Sequence, residues 1–127
     1  MALADFQKLV RLRAADKFGM VVCVTCGARR KWNDEMHGGH FISRTHNATC
    51  FHEKNVHPQC EKCNMSKDGK AKKYCEFMRR TYGQDVIDEL DRLANTNVSY
   101  TLHDYFEFCL DFREKIKAEE QRLKEAM

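Results

Sequence analysis

Cys23-Val24-Thr25-Cys26-Gly27 and Cys60-Glu61-Lys62-Cys63-Asn64 are the two stretches that decide how this chain folds. Zn²⁺ takes four soft or borderline ligands in a tetrahedron, and two Cys-x-x-Cys pairs parted by a long insert supply that set with little strain. A single pair reads equally well as a redox motif or a coincidence. Two pairs predict one structural zinc held by Cys23, Cys26, Cys60 and Cys63. Gly27 permits the tight turn that lets the first two thiolates face one ion. A helix beginning near Pro58 would place Cys60 and Cys63 at i and i+3, on one face.

The surrounding composition agrees with a metal-held fold. The chain has 127 residues, 43% of them apolar, enough for one modest domain whose core needs support from another source. Seven cysteines are many for that length. No apolar stretch is long enough for the central region of a signal peptide or for a membrane span, which argues against secretion and insertion and for reduced thiols. In a reducing compartment, an odd and dense set of cysteines points to metal rather than to disulfides. The net charge of +3 conceals an asymmetry: residues 1–80 carry 16 Lys and Arg against 8 Asp and Glu, whereas residues 81–127 carry 6 against 11. The basic part is the cysteine-bearing part, so a polyanion, most simply nucleic acid, is the expected partner.

Outward from the cysteines, Phe6, Leu9, Val10, Ala14 and Phe18 recur at helical spacing before Gly19 and predict a helix over 5–18. Residues 20–43 read as a knuckle and a loose hairpin, and 44–57 as a loop rich in His, Asn and Thr. Tyr74, Phe77, Met78 and Tyr82 mark a helix over about 70–82. Gly83 separates it from a second helix over 84–94. Thr101 and Asp104 resemble a capping box opening a last helix, with Leu102, Tyr105, Phe106, Cys109, Phe112 and Ile116 as its apolar stripe and a solvated or partner-bound end beyond Ile116. Cys75 and Cys109 fall on apolar helix faces as small core residues, and Cys50 reads as a loop thiol. There is no internal repeat.

Five of the six histidines lie between the two cysteine pairs, among them His37, His40 and His57, together with Asn47 and Asn55. A purely structural zinc module needs none of them, so they are either loop polars or a second site. Knuckle, hairpin, loop and helix in that order resemble a treble clef. His37-Gly38-Gly39-His40-Phe41-Ile42, then Asn55-Val56-His57-Pro58-Gln59-Cys60 and Cys63-Asn64, resemble the HNH, or ββα-metal, nucleases, and within them the NinG family of lambdoid phage recombination proteins, also called Rap. The resemblance runs over nearly the whole chain, including the stretch from Arg79-Arg80 to Glu89 and the Lys- and Glu-rich last helix. It implies a small α+β fold: a treble-clef, zinc-binding, HNH-like core over 20–70, with an N-terminal helix before it and helices over 71–127 after it. The family also has an upstream basic region with further cysteines, and on this reading the chain starts after it.

The resemblance further implies a metal-dependent endonuclease that cuts branched recombination intermediates, such as Holliday junctions and D-loops, in the cytoplasm of an infected bacterium. Phosphodiester hydrolysis needs a base for water, a cation at the scissile phosphate and a group that orients the base. His40 is the expected base, held through its other nitrogen by the carbonyl or side chain of Asn55. Asn64, next to the zinc ligand Cys63, is expected to place an oxygen on a catalytic Mg²⁺ or Mn²⁺. Related sequences often carry Asp three residues before the catalytic histidine, where this chain has His37. Histidine is the softer ligand, so Mn²⁺, Ni²⁺ or Zn²⁺ become alternatives to Mg²⁺, unless Asp34 or Glu35 reaches in. His57 either orients phosphate or metal or packs beside the knuckle; His46, His52 and His103 read as ordinary polar residues.

Arg29, Arg30, Lys31, Arg44, Lys67, Lys70, Lys72 and Lys73 are the expected phosphate contacts, the last four on the helix that carries Asn64. Two other readings stand beside the nuclease: a zinc-stabilised DNA-binding module with a degenerate site, and a protein-interaction adaptor built on the acidic last helix. Homodimerisation through the last helix and contact with phage or host recombination proteins are further expectations.

Overall fold

The computed structural model describes residues 1–126. Helix α1 spans Ala2–Ala14 and is followed by strands β1 (Met20–Val22), β2 (Arg29–Lys31) and β3 (Met36–His40). Then come α2 (Asn47–Cys50), β4 (Val56–Cys60) and the single turn α3 (Glu61–Asn64). Three longer helices close the chain: α4 (Ala71–Tyr82), α5 (Gln84–Ala94) and α6 (Leu102–Ala126). The result is a small α+β arrangement with two antiparallel two-stranded sheets, β1 with β2 and β3 with β4.

Helix α1 ends four residues earlier than the spacing predicts because Asp16 takes over the backbone. Its carboxylate accepts the amides of Phe18 (2.9 Å) and Met20 (3.0 Å), and its own N–H donates to the Met20 carbonyl. Such local side-chain bonds offer the chain an alternative to another helical turn. Phe18, expected on the buried face, is exposed beyond it, and Leu12 is buried instead.

Pro58 does not start a helix; it lies inside β4, opposite Gly38. A proline fits there because a two-stranded sheet leaves one edge of each strand without a ladder, so the missing N–H breaks nothing. Its carbonyl still accepts the Val24 N–H at 3.0 Å. The span read as an unstructured loop, 44–57, accordingly contains α2 and the first residues of β4, and the hairpin expected within 20–43 is divided between two sheets. Gly38 and Gly39 permit a close approach: an added Cβ would stand 2.9 Å from Gln7 Cβ at the first and 2.8 Å from Gln59 Cβ at the second.

Three cores hold the elements together. Phe6, Leu9, Val10 and Leu12 of α1 pack against Val56, Phe112 and Ile116, with Phe51 and Phe108 beside them. The ring pairs Phe6–Phe112 and Phe51–Phe108 have centroids 5.1 and 4.9 Å apart. The second core joins Val21 and Met36 to Cys23, Cys60 and Cys63, and the third joins Tyr74, Met78 and Leu90.

The capping box of α6 is present, with Thr101 N–H donating to Asp104 Oδ2 (2.8 Å) and Asp104 N–H to Thr101 Oγ1 (3.1 Å). The stripe differs. Phe112 and Ile116 are buried as expected, but Leu102, Tyr105 and Phe106 are exposed, and Phe108 takes the core position. Nor is the end of α6 simply solvated: Leu123 packs on the cores, and Arg122 Nη2 donates to the carbonyls of Leu12 (2.9 Å) and Ala15 (3.2 Å), capping α1. Cys50 is buried at the end of α2 rather than a loop thiol, and Cys75 and Cys109 are half-buried.

Candidate functional site

The four expected cysteines converge. The sulfurs of Cys23, Cys26, Cys60 and Cys63 all lie within 4.8 Å of one another, and those of Cys26 and Cys60 are 3.7 Å apart. Around Zn²⁺ with Zn–S bonds of about 2.3 Å, tetrahedral sulfurs stand about 3.8 Å apart, so the cluster fits a structural zinc. Cys60 is the last residue of β4 and the N-cap of α3, which brings it beside Cys63 through a strand-to-helix junction rather than one continuous helix. Gly27 turns the first pair at φ +79°, with its N–H on the Cys23 carbonyl at 2.9 Å. Burial opposes ionisation of Cys23, yet hydrogen bonds from the Thr25 hydroxyl and nearby backbone groups outweigh it and draw that thiol down to about 6. Burial pushes Cys60 and Cys63 up. Three of the sulfurs are buried, with Cys26 at the surface.

His40 closes β3. Its Nε2 lies 2.9 Å from the Cys50 carbonyl. A carbonyl only accepts, so Nε2 carries the proton and Nδ1 keeps a lone pair. Burial pushes the imidazole below its ordinary value; the Cys50 carbonyl pulls it back up and Arg44 adds to the lowering. A ring of this kind is neutral near pH 7 and able to take a proton.

Asn55 does not hold that ring. Its fully buried side chain accepts Ile42 N–H (2.8 Å) and donates to the carbonyls of Ile42 (3.0 Å) and Thr49 (3.1 Å), while its own carbonyl accepts Phe41 N–H (2.8 Å). Asn55 thus ties the two ends of the 41–55 segment together and fixes the stretch that offers the Cys50 carbonyl. Asn64, the residue after Cys63 of the cysteine cluster, meets His37: its amide N–H donates to His37 Nδ1 at 2.8 Å.

The register separates these groups. His37, Gly39, His57 and Gln59 share one face of the β3–β4 sheet, and Met36, Gly38, His40, Val56 and Cys60 share the other. His37 and Asn64 therefore come together, whereas His40 stands on the face turned toward α1 and α2. Asp34 and Glu35, the alternative acids, are exposed.

His57 belongs to a network that the sequence does not reveal. Tyr74 donates its hydroxyl to the Gly39 carbonyl (2.6 Å), so His57 Nδ1–H donates to the Tyr74 oxygen (3.2 Å) and Nε2 accepts from Tyr82 (2.7 Å). The chain ends on the peptide that joins Gly39 to His40. Tyr74 and Tyr82 lie eight residues apart on α4; their helical spacing was visible, their target on β4 was not. Burial pushes His57 down to about 4. An unfolded histidine titrates near 6.5, so between about pH 6.5 and pH 4 the unfolded chain takes a proton that the native one refuses. Stability then falls with acidification, by about 2 kcal/mol from pH 7 to pH 5 for this residue. Urea midpoints at the two pH values should show that fall in the wild type and a smaller one in His57→Gln; equal slopes would contradict it.

Arg30, Lys31 and Arg44 are exposed, as are Lys67, Lys70, Lys72 and Lys73; Arg29 is exposed but paired with Asp16 at 2.6 Å. The helix bearing Asn64 does not carry the four lysines. It stops at Asn64, and Lys67 and Lys70 occupy the linking turn, where Ser66 Oγ donates to the Cys63 carbonyl and Gly69 adopts φ +62°. Only Lys72 and Lys73 are helical, on α4. His46 has a definite partner, its Nδ1 lying 3.1 Å from the Ala94 carbonyl. Among the described residues no helix is long and apolar enough to cross a membrane.

A family model described as Bacteriophage Lambda NinG protein matches residues 3–122. Protein ninG of Escherichia phage lambda is 28% identical to this chain over 100 residues, covering 75% of this chain and 46% of that protein. The chain thus spans less than half the length of that relative. No solved structure matches.

Proposed function

Because this chain belongs to the family of the bacteriophage lambda NinG protein, we propose that it is a metal-dependent DNA endonuclease acting on branched recombination intermediates. The observation that carries this reading is the state of His40: Nε2 is held by the Cys50 carbonyl and Nδ1 is free to take a proton from an attacking water. On this reading the zinc-bound core is a treble clef of the HNH type, and the zinc cluster fixes the start of α3 and with it Asn64. His37 and Asn64 would hold a divalent cation, which supplies positive charge where negative charge builds on the phosphate. As folded, the two are bonded to each other, so a cation held there would take the place of that bond. A donor pair without carboxylate suits Mn²⁺ better than Mg²⁺. The exposed lysines and arginines would bind phosphates, giving salt-dependent affinity with little sequence readout. Such an enzyme would work in the host cytoplasm beside other recombination proteins, and two symmetric cuts would call for a second copy.

One observation favours the second reading, a zinc-stabilised DNA-binding module without catalysis: His40 and the His37–Asn64 pair are on opposite faces of their sheet. Incubating the zinc-loaded chain with a labelled four-way junction, a three-stranded joint and plain duplex under Mg²⁺ or Mn²⁺ separates the two. Cation-dependent nicking confined to the branched DNAs supports the endonuclease. Binding without nicking under either cation overturns it and leaves the binding module.

A further inference from the structure

Phe18 is 67% exposed, and it does not sit on a loose loop. The turn that presents it is closed by the two amide bonds to the Asp16 carboxylate, by Gly19 N–H on the Asp16 carbonyl (2.9 Å) and by Trp32 N–H on the Gly19 carbonyl (2.9 Å). Gly19 adopts φ +77°, which any other residue would resist, and Asp16 is itself anchored to Arg29. A large ring held outward by this many bonds has been kept out of the core by construction, since the same bonds end α1 before Phe18 can join its buried face.

Lysines and apolar side chains surround this turn, together with the Asp16–Arg29 ion pair. Lys17 Nζ lies 5.2 Å from the centre of the Phe18 ring. In the adjoining sheet Met20 pairs with Lys31 and Val22 with Arg29, so these four side chains share one face, while Val21 points to the buried side. Val22 on that outer face is 53% exposed. An exposed aromatic ring with Lys17 over it, two residues before a strand paired with Lys31, suits unpaired nucleotides: the ring stacks on a base and the lysines follow the backbone, while Arg29 stays paired with Asp16. Paired duplex hides its base faces, and a branch point exposes them.

We propose that Phe18, with the outer face of the β1–β2 sheet, is a stacking platform for an unpaired base at the branch of the DNA. The inference rests on the DNA partner of the proposed function and is independent of cleavage. It assigns recognition of branched over duplex DNA to a place separate from His40 and from the His37–Asn64 pair.

Equilibrium binding without added divalent cation reads the platform with no cutting. The probes are a three-way DNA with 2-aminopurine at an unpaired position beside the branch and a duplex of equal length. Phe18→Ala should lower affinity for the branched DNA on the order of tenfold, the loss of one base–aromatic stack, and abolish the aminopurine quenching, with duplex affinity and thermal midpoint unchanged. Phe18→Trp should retain the preference and the quenching. Lys31→Gln should weaken both DNAs alike, as a phosphate contact does. If Phe18→Ala weakens both DNAs equally or neither, the platform is overturned while DNA binding stands. If the wild type binds neither DNA, the DNA partner fails and the platform with it.

Discussion

Removing zinc with a strong chelator should abolish cooperative unfolding and leave a chain without its β3–β4 sheet. The cluster joins two separate parts of the chain: Cys23 and Cys26 follow β1, and Cys60 and Cys63 close β4 and line α3, with the Val24–Pro58 backbone bond (3.0 Å) and the Gln59–Thr25 side-chain bond (3.1 Å) beside it. Among the described residues, Ala15, Val21 and Met36 are its buried apolar partners, with Ala28, Trp32 and Leu123 at the edge. Four cysteine sulfurs around Zn²⁺ contribute on the order of 10 kcal/mol of folding free energy, comparable to the whole stability of a small domain. Cys60→Ser should therefore behave as the stripped protein does, and circular dichroism melts of the loaded, stripped and Cys60→Ser proteins are the measurement. A stripped protein that melts at the same temperature as the loaded one would show that the sulfurs hold no structural ion.

Asn55→Ala should destabilise the protein by about 4 kcal/mol, more than any exposed substitution approaches. The side chain is fully buried, and its loss leaves the Ile42 N–H and carbonyl without this partner, each costing roughly 1–3 kcal/mol where no water can enter, while the Thr49 carbonyl loses one donor and keeps the His52 N–H (3.1 Å). Asn55→Asp should not rescue it, since a carboxylate cannot donate to the two carbonyls and its charge is buried. The effect should reach further than stability. The segment pinned by Asn55 includes Cys50, whose carbonyl sets the proton on His40, so the imidazole NMR signals of His40 should shift or broaden in Asn55→Ala. Urea unfolding gives the first quantity; a loss below about 1 kcal/mol would show that the segment is held by other contacts.

The parts of this fold that depend on short-range chemistry were legible in the sequence. Two Cys-x-x-Cys pairs announced the four-cysteine cluster because ligand spacing is local, and Gly83 divided α4 from α5 where expected. The Thr101–Asp104 box needed three residues of context and formed as read. What required knowledge of distant partners was not legible. Helical spacing carried α1 to Phe18, but whether Asp16 spends its carboxylate on the following amides depends on Trp32 and Arg29 arriving to close the turn. The apolar positions of α6 admit two faces, and only the placement of Phe51 and α1 selects Phe108 over Phe106. For the candidate site, the residue types were visible and their sides were not: His37 and His40 are three apart in sequence, and strand alternation sends them to opposite faces once β3 pairs with β4. The Cys50 carbonyl that holds His40 could not be seen from side-chain identities, because a backbone group supplies the contact.

The most direct test is the single-turnover nicking rate of one labelled four-way junction under Mn²⁺, for zinc-loaded wild type and zinc-loaded His40→Ala. Loss of the base should slow nicking by roughly 10²–10⁴-fold, with zinc content and thermal midpoint held. Equal rates in the two proteins would contradict the assignment of His40 as the group that takes the proton.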